Sequence, residues 1–133
     1  MKNGRWAKIG IIHYMEKKNV LADKSKAFAL RIIKLYKFLK RKGEDVMSKQ
    51  VLRSGTSIGA NVAEGIFAQS RDDFASKNSI ALKEARETYY WLDLLQTAGY
   101  LPDTESTRTL LAENKELIAI LVSTVKTAKA NKG

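Results

Sequence analysis

Residues 51–65 read VLRSGTSIGANVAEG, and this stretch decides the fold. Gly55, Gly59 and Ala63 recur every four residues, so on a helix they form one ridge with almost no side chain, flanked by Ile58, Val62 and Ile66. Glycine inside a helix costs roughly 1 kcal/mol against alanine. Two glycines on one ridge therefore imply a neighbouring backbone that approaches closely enough to offset that penalty. The segment reads as a helix built for packing.

A glycine-containing run can also cradle a phosphate, but GTSIG lacks the glycine-lysine-serine/threonine ending that would place a cation and a hydroxyl on the ligand. Asn61 and Glu64 lie one turn apart in this apolar setting. Buried polar groups need partners, so Asn61 and Glu64 are expected to serve helix packing through interhelical bonds, together with Gly55, Gly59 and Ala63.

Outward from this helix, the chain of 133 residues has one proline and no cysteine. Its length suits a single domain that needs no covalent staple, and the lack of thiols excludes disulfides and thiolate metal sites. No apolar run is long enough to span a bilayer. Residues 1–14, MKNGRWAKIGIIHY, start basic, but Lys8 and His13 break the apolar patch and no cleavage site follows. We read residues 1–18 as an N-terminal extension, 19–130 as a four-helix bundle and 131–133 as a frayed tail, in a cytoplasmic protein.

The formal net charge is +10, unevenly spread. Eight basic residues (Lys24, Lys26, Arg31, Lys34, Lys37, Lys40, Arg41 and Lys42) lie between positions 24 and 42 with no acidic one among them. Such clustering is the footprint of a polyanion-binding face, although a merely solvated helix surface has the same composition.

Asp23 or Ser25 is placed to cap a first helix whose core face is Phe28, Ile32, Leu35, Tyr36 and Leu39, with Gly43 ending it. Leu30 and Ile33 interrupt the basic side. The second helix spans about 48–68. Ser70 with Asp73 matches the serine-x-x-acid capping pattern, starting a third helix near Arg71 that Gly99 and Pro102 end. This helix has one apolar stripe of Phe74, Ala81, Ala85, Tyr89 and Leu92, and a second of Ile80, Trp91, Leu94 and Ala98. Two stripes imply a partner beyond the bundle core, so Leu30, Ile33, Ile80, Trp91, Leu94 and Ala98 are the expected oligomer interface. Asp103 or Thr104 opens a fourth helix with a broad stripe from Leu110 to Val125. Short connections between four helices give an all-α, antiparallel, up-down-up-down bundle.

The residues SKQVLRSGTSIGANVAEG, then AQSRDDFASKNSIALKEARETYYWLDLLQTAGYL, and the KSKAFALRI opening of helix one closely resemble the bacterial four-helix-bundle family first named for proteins encoded in intervening sequences of 23S ribosomal RNA genes. That resemblance implies a small basic bundle assembling into a ring-shaped homo-oligomer, typically a pentamer. A related branch, the accessory variability determinant proteins of diversity-generating retroelements, binds nucleic acid and a reverse transcriptase. Fold transfers more safely than function.

The functional expectation is a non-enzymatic basic scaffold binding nucleic acid without strong sequence specificity. Lys34, Lys37, Lys40 and Arg41 are the preferred contacts, Lys26 and Lys42 extend them, and Lys49 and Arg53 are weaker, Arg53 being equally suited to pair with Glu64. The alternative is a protein-interaction module that recruits a partner enzyme such as a reverse transcriptase. Catalysis is not expected: His13 is the only histidine, Asp72 and Asp73 suit a helix N-terminus, and Glu84 and Glu87 suit surface ion pairs with Lys83 and Arg86. No metal, no cofactor and no membrane contact is expected.

Overall fold

The computed structural model describes residues 11–130, with side chains from residue 20 onward. It contains α1 (Ile11–Arg41), α2 (Met47–Ile66), α3 (Arg71–Thr97) and α4 (Glu105–Ala130), with no strand among the described residues.

The cross-helix contacts give the directions. Gly55 faces Ile32 and Gly59 faces Ser25; Arg53 reaches Glu84 while Glu64 reaches Lys77; Lys24 meets Glu116 while Arg31 meets Thr109. In each pair one number rises as the other falls, so α1 and α2, α2 and α3, and α1 and α4 all run antiparallel. The Asn114 amide donates to the Ala85 carbonyl at 3.1 Å, tying α4 to α3.

The helix ends follow from local chemistry. Ser70 is extended, and its hydroxyl accepts from the Asp73 N–H at 3.0 Å, as the capping pattern requires. Gly43 and Gly99 are left-handed, with φ of +82° and +88°. Each is followed by a backbone N–H that returns to the preceding helix, Glu44 to the Leu39 carbonyl and Tyr100 to the Leu95 carbonyl, both at 2.9 Å. Only glycine takes that turn without steric cost.

One expectation is corrected here. Helix α1 does not begin at Asp23 or Ser25 but runs continuously over Ile11–Arg41. Ser25 is buried mid-helix and its hydroxyl donates to the Ala22 carbonyl at 3.1 Å. A small polar residue at a tight crossing looks like a cap in sequence. Residues 1–10 and 131–133 and the side chain of His13 lie outside what the structure describes.

The glycine ridge packs as the spacing requires over part of its length. A Cβ at Gly55 would lie 2.8 Å from Ile32 Cγ1, and one at Gly59 would lie 3.4 Å from Ser25 Oγ. Ala63, one turn further, is exposed and lines a groove with Ala22, Ala29 and Gly59. Gly65, outside that ridge, faces α3, where a Cβ would sit 3.0 Å from the Asn78 amide. Around these contacts Phe28, Ile32, Leu39, Val51, Ile58, Val62, Leu92, Leu95, Leu117 and Leu121 form a continuous buried core. Inside it, the hydroxyls of Ser54 and Thr88 bond at 2.8 Å, joining α2 to α3 in a low-dielectric setting.

Candidate nucleic-acid interface

Lys26, Leu30, Ile33, Lys37 and Arg41 follow one another at helical spacing, so the outward face of α1 is a single stripe about 22 Å long at 1.5 Å per residue. All five side chains are exposed, Leu30 at 55% and Ile33 at 36%. Lys34 stands beside the stripe toward α4. The core face of α1 fixes this orientation: with Phe28, Ile32, Leu35 and Leu39 buried, these side chains have only the solvent side left.

Ion pairing separates the free cations from the committed ones. Lys24 pairs with Glu116 at 3.2 Å, and Arg31 with Glu113 at 2.9 Å. Lys40 pairs with Asp45 at 2.8 Å, and this charge-assisted hydrogen bond raises the lysine pKa and lowers that of the aspartate. Arg53 pairs with Glu84 at 3.1 Å and with Glu87. By contrast Lys26, Lys34, Lys37, Arg41 and Lys49 are exposed and make no ion pair among the described residues. Lys42 stands over the Phe38 ring, 5.5 Å from its centroid. Arg41, Lys42 and Lys49 flank the α1–α2 connection, so positive charge concentrates at that end of the bundle.

Arg53 is therefore an internal cross-brace and not a free contact. Its partners are Glu84 and Glu87, not Glu64, which pairs with Lys77 at 3.0 Å. Glu87 also accepts from the Trp91 indole at 2.9 Å. That bond, followed by the Arg53 guanidinium, holds the Glu87 carboxyl below its usual range, while Glu87 holds Arg53 above its own. Lys83 and Arg86 are not the partners of these glutamates.

Other assignments shift as well. Of the second α3 stripe, Ile80 is exposed at 39%, Ala98 is exposed, and Trp91 and Leu94 are both half-buried, Trp91 packing on the bundle's own core. Asn61 donates to the Ser57 carbonyl of its own helix at 2.9 Å and makes no interhelical bond.

Two residues shape this end, Glu44, which sequence reasoning passed over, and Arg31, which it counted only in the basic cluster. Glu44 is buried and its carboxylate accepts the N–H groups of Val46, Met47 and Ser48 at 3.3, 3.2 and 2.6 Å, closing the N-terminus of α2. Arg31 is pinned by hydrogen bonds to the Ser106 carbonyl and hydroxyl, Thr109 and Glu113. Beside it a groove of about 340 Å³ opens between α1 and the start of α4. Among the described residues no cluster of three or more His, Cys, Asp and Glu is placed to hold a metal, and no helix is long and apolar enough to cross a membrane.

Comparison with known proteins fixes the lineage, because residues 17–123 match the 23S rRNA-intervening sequence protein family. The chain belongs to that family. Among solved structures it is similar to a protein of unknown function from the S23 ribosomal protein family of Bacteroides thetaiotaomicron, with 51% identity over 80% of this chain and 98% of the other, and a TM-score of 0.76. No curated protein matches the chain. For this member of the 23S rRNA-intervening sequence family, membership establishes the helical architecture and leaves the basic face to be explained by its own chemistry.

Proposed function

We propose that this chain is a non-enzymatic, oligomeric scaffold that binds nucleic acid through the outer face of α1 and the adjoining start of α2. The observation that carries this reading is the set of exposed cations that make no ion pair among the described residues: Lys26, Lys34, Lys37, Arg41 and Lys49. Lysines committed to carboxylates contribute little to an external anion. Free ones release counterions from a polyphosphate on binding, which gives affinity that falls steeply with salt. Contacts of this kind hold the backbone and read no bases, so weak sequence preference is expected.

The oligomer enters through the apolar residues among and beside those cations. Leu30 and Ile33 on α1, and Ile80, Leu94 and Ala98 on α3, lie on different sides of the bundle. Joining one side to the other in successive copies makes a head-to-tail contact, which closes into a ring when the rotation permits. A pentameric ring would repeat Arg41 and Lys49, which lie beyond the Leu30 and Ile33 contact, once per subunit. The same aliphatic pair supports the second reading, a surface that recruits a protein partner, since phosphates offer Leu30 and Ile33 nothing to pack against.

Charge reversal at Lys34, Lys37 and Arg41, followed by anisotropy titration with labelled RNA and DNA, tests the first reading. Loss of binding with an unchanged helical spectrum supports it; retained binding removes this face from consideration. Co-purification of a protein that survives nuclease treatment would support the second.

A further inference from the structure

The groove between α1 and the start of α4 gives the basic end a feature that phosphate binding alone does not need. It is lined from α1 by Arg31, Lys34, Leu35 and Phe38 and from across the groove by Leu101 and Leu110. Its volume of about 340 Å³ falls in the roughly 300–1,000 Å³ range of small-ligand clefts. The Arg31 guanidinium is immobilised by Ser106, Thr109 and Glu113, so its charge is largely answered while its planar face stays fixed. Lys34 is exposed and pairs with no carboxylate among the described residues. Two further grooves, one along Ala22, Ala29, Gly59 and Ala63 and one beside Asp72 and Ala128, have no aromatic wall.

We infer that this groove receives an unstacked base of a single-stranded nucleic acid, with Lys34 on the adjoining phosphate. The inference rests on the nucleic-acid reading above and deepens it. Apolar walls with an aromatic ring and an immobilised guanidinium plane suit the π-face of a base, which every base presents. A duplex keeps its bases stacked and paired, so it meets only the cations. Phe38 and Lys34 lie one turn apart on α1, which places base and phosphate contacts side by side.

The test compares three probes of equal length: a single strand of thymidines, an abasic single strand carrying the same phosphates, and a duplex. Each is titrated against the full chain and against Phe38→Leu, which keeps apolar volume and removes the π-face. Base stacking of this kind is worth roughly 5- to 150-fold in affinity. The full chain is expected to prefer the thymidine strand over the abasic strand by about that factor. Phe38→Leu should shrink this preference while duplex binding is unchanged, and Phe38→Tyr should retain it. Equal affinity for thymidine and abasic strands, or a preference untouched by Phe38→Leu, overturns the groove and leaves the cationic face standing. No binding of any probe overturns the cationic face and the groove together.

Discussion

Gly55 and Gly59 occupy one helix and one ridge, yet their surroundings differ enough that the same substitution should have different outcomes. A Cβ at Gly55 would lie 2.8, 2.9 and 3.3 Å from Cγ1, Cγ2 and Cβ of Ile32, a side chain with 0% exposure. Ile32 is β-branched and has essentially one rotamer on a helix, so it cannot swing aside. Overpacking of this kind costs about 1–3 kcal/mol. At Gly59 the nearest atom, Ser25 Oγ, lies at 3.4 Å and the Ser25 carbonyl oxygen at 3.5 Å, which is ordinary contact. The helix-propensity gain of about 1 kcal/mol is common to both substitutions and cancels in the comparison. Gly55→Ala should therefore be less stable than Gly59→Ala by about 1–3 kcal/mol, and Gly59→Ala should match or exceed the parent. Urea unfolding at one protein concentration reads the difference as a shift in midpoint at unchanged slope. Equal midpoints for the two variants, or the reverse order, would refute the close crossing of α1 on α2.

Three further outcomes follow from the structure. Glu44→Ala removes the acceptor of three N–H groups at the start of α2 and should cost about 1–2 kcal/mol, with amide-exchange protection lost first in residues 46–48. Glu87 has a lowered pKa in the folded chain, so its contribution is fully present above the ordinary glutamate range near pH 4.3 and is lost as pH falls through the lowered value. Glu87→Gln should flatten the acid limb of the stability profile in that window, and an unchanged limb would show that the Arg53–Glu87–Trp91 network contributes nothing. Lys37→Ala should weaken nucleic-acid affinity more than Lys40→Ala, because Lys40 is already held by Asp45; anisotropy titration of the two variants at matched salt measures the difference.

The helix ends at Ser70, Gly43 and Gly99 were legible because capping depends on residues within a turn of each other. So was the close approach at Gly55, where periodicity and propensity pointed the same way. The start of α1 was hidden because Asp23 and Ser25 are good caps in isolation, and only the crossing of α2 explains a buried serine there. Cross-helix partners were the least legible. Whether Arg53 reaches Glu64 or Glu84 depends on the rotation of α2 and α3 about their axes, which sequence spacing within one helix does not set. The same rotation decides that Trp91 turns toward its own core. The basic face was visible as composition, but its division into free Lys34, Lys37 and Arg41 and committed Lys24, Arg31 and Lys40 required the fold. Phe38 carried no signal, since its place in the groove depends on Leu101, Pro102 and Thr104 of the turn between α3 and α4, which are far from it in sequence.

The salt dependence of nucleic-acid affinity tests the central claim most directly, because it counts the phosphates that the protein neutralises. For the parent chain the plot of log affinity against log salt should be steep, and neutralising Lys34, Lys37 and Arg41 to Gln, which weakens binding without the repulsion that charge reversal adds, should lower its slope by about 2–3. A parent slope near zero, or the same slope in the variant, would contradict the assignment of binding to the free cations of α1.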